Sequence, residues 1–334
     1  MRVVYVIAAL LTALAGATGI RTSFAGIGST GASLEPGQHA PVAGTGERYI
    51  GSQPPARNDA IRVAQAPTLS WQQTTGSPSV APFKWVGYLR NATATKDAPK
   101  GWSCTAQFIK PNVLLTAGHC LVDLSSGLPL AAIDPSKLTF LLQYQDGLAS
   151  QTFKALCAAA NPQWTLPPNY NSMSDSDKST AQDVVHEHDF GMILVDGTSP
   201  TGSMEYALDW KGKFTFAVRV GYPGDILNAD IVQYAPGIIF FANQISLPDP
   251  WNLANTVVQW GPVTDATHGM SGGAWVANYS PTEGPNKNIL IAVTSAGPEI
   301  GNSGIPRFPG GTWAAYLTAA EFNPLLDFVT NGCK

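Results

Sequence analysis

From about Val80 to the C-terminus, short apolar runs alternate with polar breaks rich in glycine and proline. "CTAQFI" (104–109) and "VLLTAGHC" (113–120) flank a "KPN" turn and read as a hairpin. "LTFLLQYQ", "DFGMILVDG", "FAVRVGYPG", "GIIFFANQI", "TVVQWG", "GAWVANY" and "NILIAVTSAG" follow at loop-separated intervals. Short β-branched and aromatic runs bounded by turn residues predict strands. Many strands with almost no helix predict an all-β barrel or sandwich. The polar stretch Pro162–Gln182 reads as a long loop able to lie over a site. A helix is predicted only at the end, with Asn323 as cap, Pro324 at its first position, "LLDFV" as body and "NG" at 331–332 as stop.

Upstream the pattern changes twice. Gly26 to Pro82 is dominated by Gly, Ser, Thr, Ala and Pro without either periodicity, so the folded part is expected to start near Val80 to Val86. The first residues, "MRVVYVIAALLTALAGATG", combine Arg2, an apolar core from Val3 to Leu14 and small residues at Ala15, Gly16 and Ala17. That is the pattern of a cleaved secretory signal, and the apolar run is shorter than the ~20 residues a membrane helix needs. The expected organisation is a signal peptide over 1–17, a propeptide or disordered segment over 18–80, and an all-β folded part after it that ends in the helix. An extracellular protein, free of the membrane once the signal is removed, follows.

Composition narrows the function classes. The 334 residues are 44% hydrophobic and 13% charged, enough to bury one large or two medium cores. A net charge of −4 without a basic patch argues against a nucleic-acid partner. Export favours disulfides. Cys104 and Cys120 are close enough to close a short loop, which in the chain-entropy model adds roughly 3 kcal/mol. Cys157 and Cys333 are then left for each other, although four cysteines allow three connectivities.

Three segments carry chemistry. In "THGMSGGAW" (267–275), Ser271 is fenced by Gly269, Gly272 and Gly273, which leave the backbone free to aim amides at one point. A serine that attacks a carbonyl needs a neutral imidazole, a carboxylate to hold that imidazole, and donors for the oxyanion. His119 ends an apolar strand beside Cys120, a rigid place for a base. Asp189 heads "DFGMILV", a strand expected to be buried, where its carboxylate needs a partner such as an imidazole N–H. The amides of Gly269 and Ser271 are the candidate oxyanion donors.

"TAGHC", "HDFGMIL" and "GMSGGA", in that order across two all-β halves, resemble the chymotrypsin-like serine proteases, and within them the secreted bacterial branch related to glutamyl endopeptidases. "GYPGD" (221–225) resembles a segment of the same branch. The resemblance covers about residues 83–330. It implies two six-stranded antiparallel β-barrels, over 81–200 and over 201–334 with the C-terminal helix, a triad of His119, Asp189 and Ser271, a protein or peptide substrate, a monomer, and no metal or organic cofactor.

Rival readings fare less well. An α/β-hydrolase elbow requires a histidine after the serine, and none follows Ser271. "HEHD" offers His186, His188 and Asp189 as metal ligands, but this leaves "TAGHC" and "GMSGGA" without explanation. The alternative from another class is a non-catalytic protease homologue acting as an extracellular binding module.

The chain also departs from the family. Met270 stands where trypsin-like zymogens carry the aspartate that pairs with a new N-terminal amine, and the usual Ile-Val-Gly-Gly start is absent, so that switch is not expected to operate. For specificity, Asp265 lies six residues before Ser271, as in trypsin; related bacterial enzymes of other specificities share that aspartate, and a basic side chain N-terminal to the scissile bond is favoured over a small or apolar one. Thr294, Ser295 and Gly297 in "AVTSAG" are expected to line the pocket, with Thr294 in place of the histidine used by glutamate-specific relatives.

Overall fold

The computed structural model describes residues 72–73, 78–92, 102–123, 131–224, 231–244, 253–260, 269–296 and 311–334. All of them belong to one compact unit, Glu47–Lys334.

Six strands close the first barrel: β2 (Val86–Asn91), β3 (Trp102–Lys110), β4 (Val113–Thr116), β7 (Leu138–Leu142), β8 (Gln151–Ala160) and β9 (Gly191–Val195). All pairs are antiparallel, in the order β2-β3-β4-β9-β8-β7. Two further pieces, β5 (Val122–Asp123) and β6 (Ala131–Ala132), pair outside it. Alternation sets the interior: Leu138, Phe140 and Leu142 of β7 are buried while Thr139 and Leu141 are only partly so. Phe108 meets Phe140 and Phe153 edge-on with ring centroids 5.3 and 5.2 Å apart, the favoured aromatic geometry.

The second barrel is built from β10 (Phe216–Gly221), β11 (Gln233–Phe241), β12 (Thr256–Trp260), β13 (Ala274–Ala277), β14 (Ile289–Ala296) and β15 (Thr312–Tyr316). Their antiparallel pairings run β11-β10-β13-β14-β15-β12 and close back onto β11. A short β1 (Gln72–Gln73) pairs with Tyr234 and Gln233 of β11. The chain therefore joins a sheet upstream of the expected start near Val80. One apolar cluster joins the halves, with Val86, Leu115 and Met192 from the first barrel and Val220, Val276 and Val293 from the second.

Two helices differ from expectation. Part of the polar stretch 162–182 folds into α1 (Asp175–Val185). Ser174 accepts from the Asp177 amide, 3.2 Å, and donates to the Asp177 carboxylate, 2.7 Å. That reciprocal cap, with Asp175 and Asp177 in the first turn, suits a helix N-terminus. The final helix, α2 (Ala319–Thr330), begins before Asn323 and holds Pro324 inside it. Tertiary contacts fix the earlier start: Phe322 is fully buried, 4.8 Å from the Tyr206 ring, and Asp209 accepts from the Ala319 amide at 3.2 Å. Phe322, Leu325, Leu326 and Val329 form its buried face at helical spacing, each worth about 1.5–3 kcal/mol of apolar burial. Disulfides join Cys104 to Cys120 and Cys157 to Cys333, the second tying the end of the chain to β8.

Candidate active site

The β4–β9 register pairs Leu115 with Met192 and Thr116 with Gly191. Continued past the strand ends, it sets the histidine turn opposite Asp189. Ala117 is extended, and Gly118–Cys120 then forms a single 3-10 turn that carries His119, held at Cys120 by the disulfide to β3. Gly118 is required by close approach: a β-carbon there would lie 3.1 Å from Asp189 Oδ1 and from the Trp164 ring.

Asp189 is completely buried. Its Oδ1 accepts from the His119 backbone amide, 2.8 Å, and its Oδ2 from His119 Nδ1, 2.7 Å. A third donor is the Ser295 hydroxyl, 2.5 Å from Oδ2. Burial alone would raise this carboxyl, but the charge and hydrogen bond of His119, with help from His186, hold it well below the usual carboxylate range. Burial would lower His119, and the neighbouring carboxylate outweighs it, so the imidazole sits above its ordinary value. With Nδ1 donating to Asp189, Nε2 of neutral His119 is the basic atom.

Ser271 lies on the turn Gly269–Gly273 that leads into β13, and this turn rests on the first barrel. Its carbonyl accepts from the Thr105 amide of β3, 2.8 Å. Gly272, with φ +78°, faces Thr116 and Ala117, the residues leading to His119, so closely that a β-carbon would overlap them. The structure thus brings the serine turn onto the histidine strand. Among the described residues no hydrogen bond joins the Ser271 hydroxyl to His119; in free enzymes such bonds often tighten only once substrate is bound. Among the described residues no group accepts from the Gly269 or Ser271 amides.

Solved structures with this architecture include a thermostable serine protease from an extremophilic microorganism, at 17% identity and TM-score 0.53, covering 74% of this chain and 98% of that one. A Glu endopeptidase superposes at 18% identity and TM-score 0.50, covering 78% and 95%. The protease Anisep from Arthrobacter nicotinovorans gives 17% and 0.51, covering 75% and 96%. The chain has the chymotrypsin-like fold. No family model and no curated protein matches the sequence.

Within this chymotrypsin-like fold the expected pocket residues fall in different places. Asp265 and Gly297 lie outside the described residues. Thr294 is buried, its hydroxyl accepting from Trp275 Nε1 at 3.0 Å, and its carbonyl accepts from the Gly272 amide at 2.7 Å. Ser295 is turned toward Asp189 rather than standing only in a pocket wall. The β14–β15 ladder shifts register between Thr294 and Ala296, and a bulge of this kind re-aims the extra side chain.

The "HEHD" histidines diverge because residues 186–188 form a 3-10 turn, on which side chains two apart do not share a face. His186 Nδ1 lies 2.7 Å from Ser295 Oγ. His188 turns away to Glu321, 3.1 Å, and Glu187, 3.4 Å. Burial would lower His188, yet the two carboxylates raise it to about 9. Among the described residues, one group has metal-ligand spacing, Cys104, His119 and Cys120, and its two sulfurs are consumed by their disulfide.

Sequence reasoning missed Thr105, Trp164 and the Ser295–Asp189 bond. Trp164 packs between His119 and His186, with ring centroids 6.4 and 5.6 Å away. A tryptophan opening an otherwise polar loop, and a threonine inside the buried "CTAQFI" strand, were the available signals.

Proposed function

We propose that the protein is a secreted serine endopeptidase. Neutral His119 takes the Ser271 proton at Nε2 while Oγ attacks the scissile carbonyl carbon. The oxyanion so formed is received by the Gly269 and Ser271 amides. Collapse of the tetrahedral intermediate breaks the C–N bond, and the imidazolium returns its proton to the leaving amine. Water, deprotonated by His119, then hydrolyses the acyl-enzyme and frees Ser271. Asp189 holds the imidazole in the Nδ1–H tautomer and stabilises the imidazolium without itself taking the proton.

The observation that carries this reading is the completely buried carboxylate satisfied by both the backbone and the ring of His119. A buried charge is retained only where it is paired, and this one is paired to His119, which follows the strand that the serine turn rests on. Export is supported by the N-terminal pattern and the two disulfides; among the described residues no helix is long and apolar enough to cross a membrane. Incubating purified protein with a denatured protein substrate tests the activity. Peptide-bond cleavage that disappears in Ser271→Ala is expected, and a wild-type protein that cleaves no peptide or ester contradicts it.

A further inference from the structure

The turn bearing Ser271 is rich in glycine, so hydrogen bonds must fix which way its peptides face. An amide shares one peptide plane with the carbonyl of the preceding residue. The Ser271 amide is therefore aimed through the Met270 carbonyl, which accepts from the Gly273 amide at 2.8 Å. The carbonyls of Gly269 and Ser271 belong to the peptides on either side and fix where that unit sits. Both carbonyls are bound by one residue of the other barrel. Thr105 Oγ1 donates to the Gly269 carbonyl, 2.8 Å, and the Thr105 amide donates to the Ser271 carbonyl, 2.8 Å.

The hydroxyl's direction is itself determined. The Tyr222 amide donates to Thr105 Oγ1, 2.9 Å, so the single hydroxyl proton goes to Gly269. Thr105 is completely buried, and its own carbonyl accepts from Thr116 Oγ1, 2.8 Å, beside Gly272. Met270, between the two held carbonyls, is also completely buried. Its thioether has no charge with which to anchor the turn.

Building on the proteolytic reading, the geometry points to Thr105 as the positioning residue of the oxyanion turn: its hydroxyl keeps the Gly269–Met270 peptide from turning over. A reversed Gly269–Met270 peptide would change ψ of Gly269 and φ of Met270, two of the torsions that lie between the Gly269 and Ser271 amides, and so spoil their convergence on one point. Thr105 touches neither substrate nor reacting atoms and acts through Gly269 and Ser271. The first barrel therefore supplies the clasp as well as the base.

The test compares Thr105→Val, which keeps the shape and removes the donor, with Thr105→Ser, which keeps the donor. With a small ester substrate, Thr105→Val is expected to lose kcat by roughly 10- to 100-fold with KM unchanged, less than the ~10²- to 10³-fold cost of removing an oxyanion donor outright. Thr105→Ser is expected to recover most of it. Thr105→Ala serves in place of Thr105→Val if the latter does not fold. Equal kcat in the wild type and Thr105→Val, or a loss that Thr105→Ser does not restore, overturns the assignment and leaves the proteolytic reading standing. If the wild type itself is inert, the proteolytic reading falls, and amide exchange at Met270, the N–H of the held peptide, decides the clasp. Protection kept in Thr105→Ser and lost in Thr105→Val supports it; equal protection in both refutes it.

Discussion

Gly272 lies against Thr116 with no space for a β-carbon between them, and this contact seats the serine turn of the second barrel on the histidine strand of the first. Gly272→Ala adds a β-carbon that overlaps Thr116 and Thr105, at a backbone φ of +78° that favours glycine. Left-handed strain and overpacking together are expected to cost roughly 2–4 kcal/mol. Denaturant unfolding measures the loss. Turnover should fall further than the folded fraction does, because relief of the overlap moves the turn away from His119.

Asp189→Asn keeps the shape of the buried acid and removes its charge. The His119 tautomer is then no longer enforced, and kcat is expected to fall on the order of 10⁴-fold. Burial, which lowers His119, would act without opposition from the carboxylate. Its titration, followed by NMR, should therefore move to lower pH than in the wild type.

The pH dependence of kcat/KM has a defined sign. His119 works as a base only when neutral, and Asp189 raises its pKa above the ordinary ~6.5 of histidine. Activity is expected to rise with pH along an acid limb whose midpoint lies above ~6.5. Rates measured between pH 5 and 9 under sub-saturating substrate locate that midpoint.

His188 links stability to pH through a different cluster. Asn161 joins it by donating to Glu321 Oε2, 2.6 Å, so the cluster ties the first barrel to α2. The folded pKa of about 9 exceeds the unfolded value of ~6.5. The stabilisation is complete below ~6.5 and is lost as pH rises through 9. The melting temperature of the wild type is expected to drop toward that of His188→Gln over this window, with the gap widest at the acid end.

Much of the first barrel's chemistry was legible because sequence and space coincide there. "TAGHC" sits at a strand end whose register sets it opposite "HDFGM", so apolar patterning located both His119 and Asp189. Strands β2, β8 and β15 were not legible as such. Gly87 interrupts β2, Ala155, Ala158, Ala159 and Ala160 weaken the pattern in β8, and "TWAAY" is too short and uniformly buried to alternate. The start of α2 was hidden because Pro324 imitates a first helical position, whereas burial of Phe322 extends the helix upstream. The Ser295–Asp189 bond depends on a bulge, and the Thr105 clasp on contact across barrels. Neither leaves a local periodic signal.

The intact mass of the protein after exposure to a fluorophosphonate tests the central claim most directly, because only an activated serine reacts quickly with such a reagent. The account predicts one adduct per chain, mapped to Ser271, absent in Ser271→Ala and much slower to form in His119→Ala. A folded wild-type protein that stays unmodified, or that is modified at another residue, would contradict it.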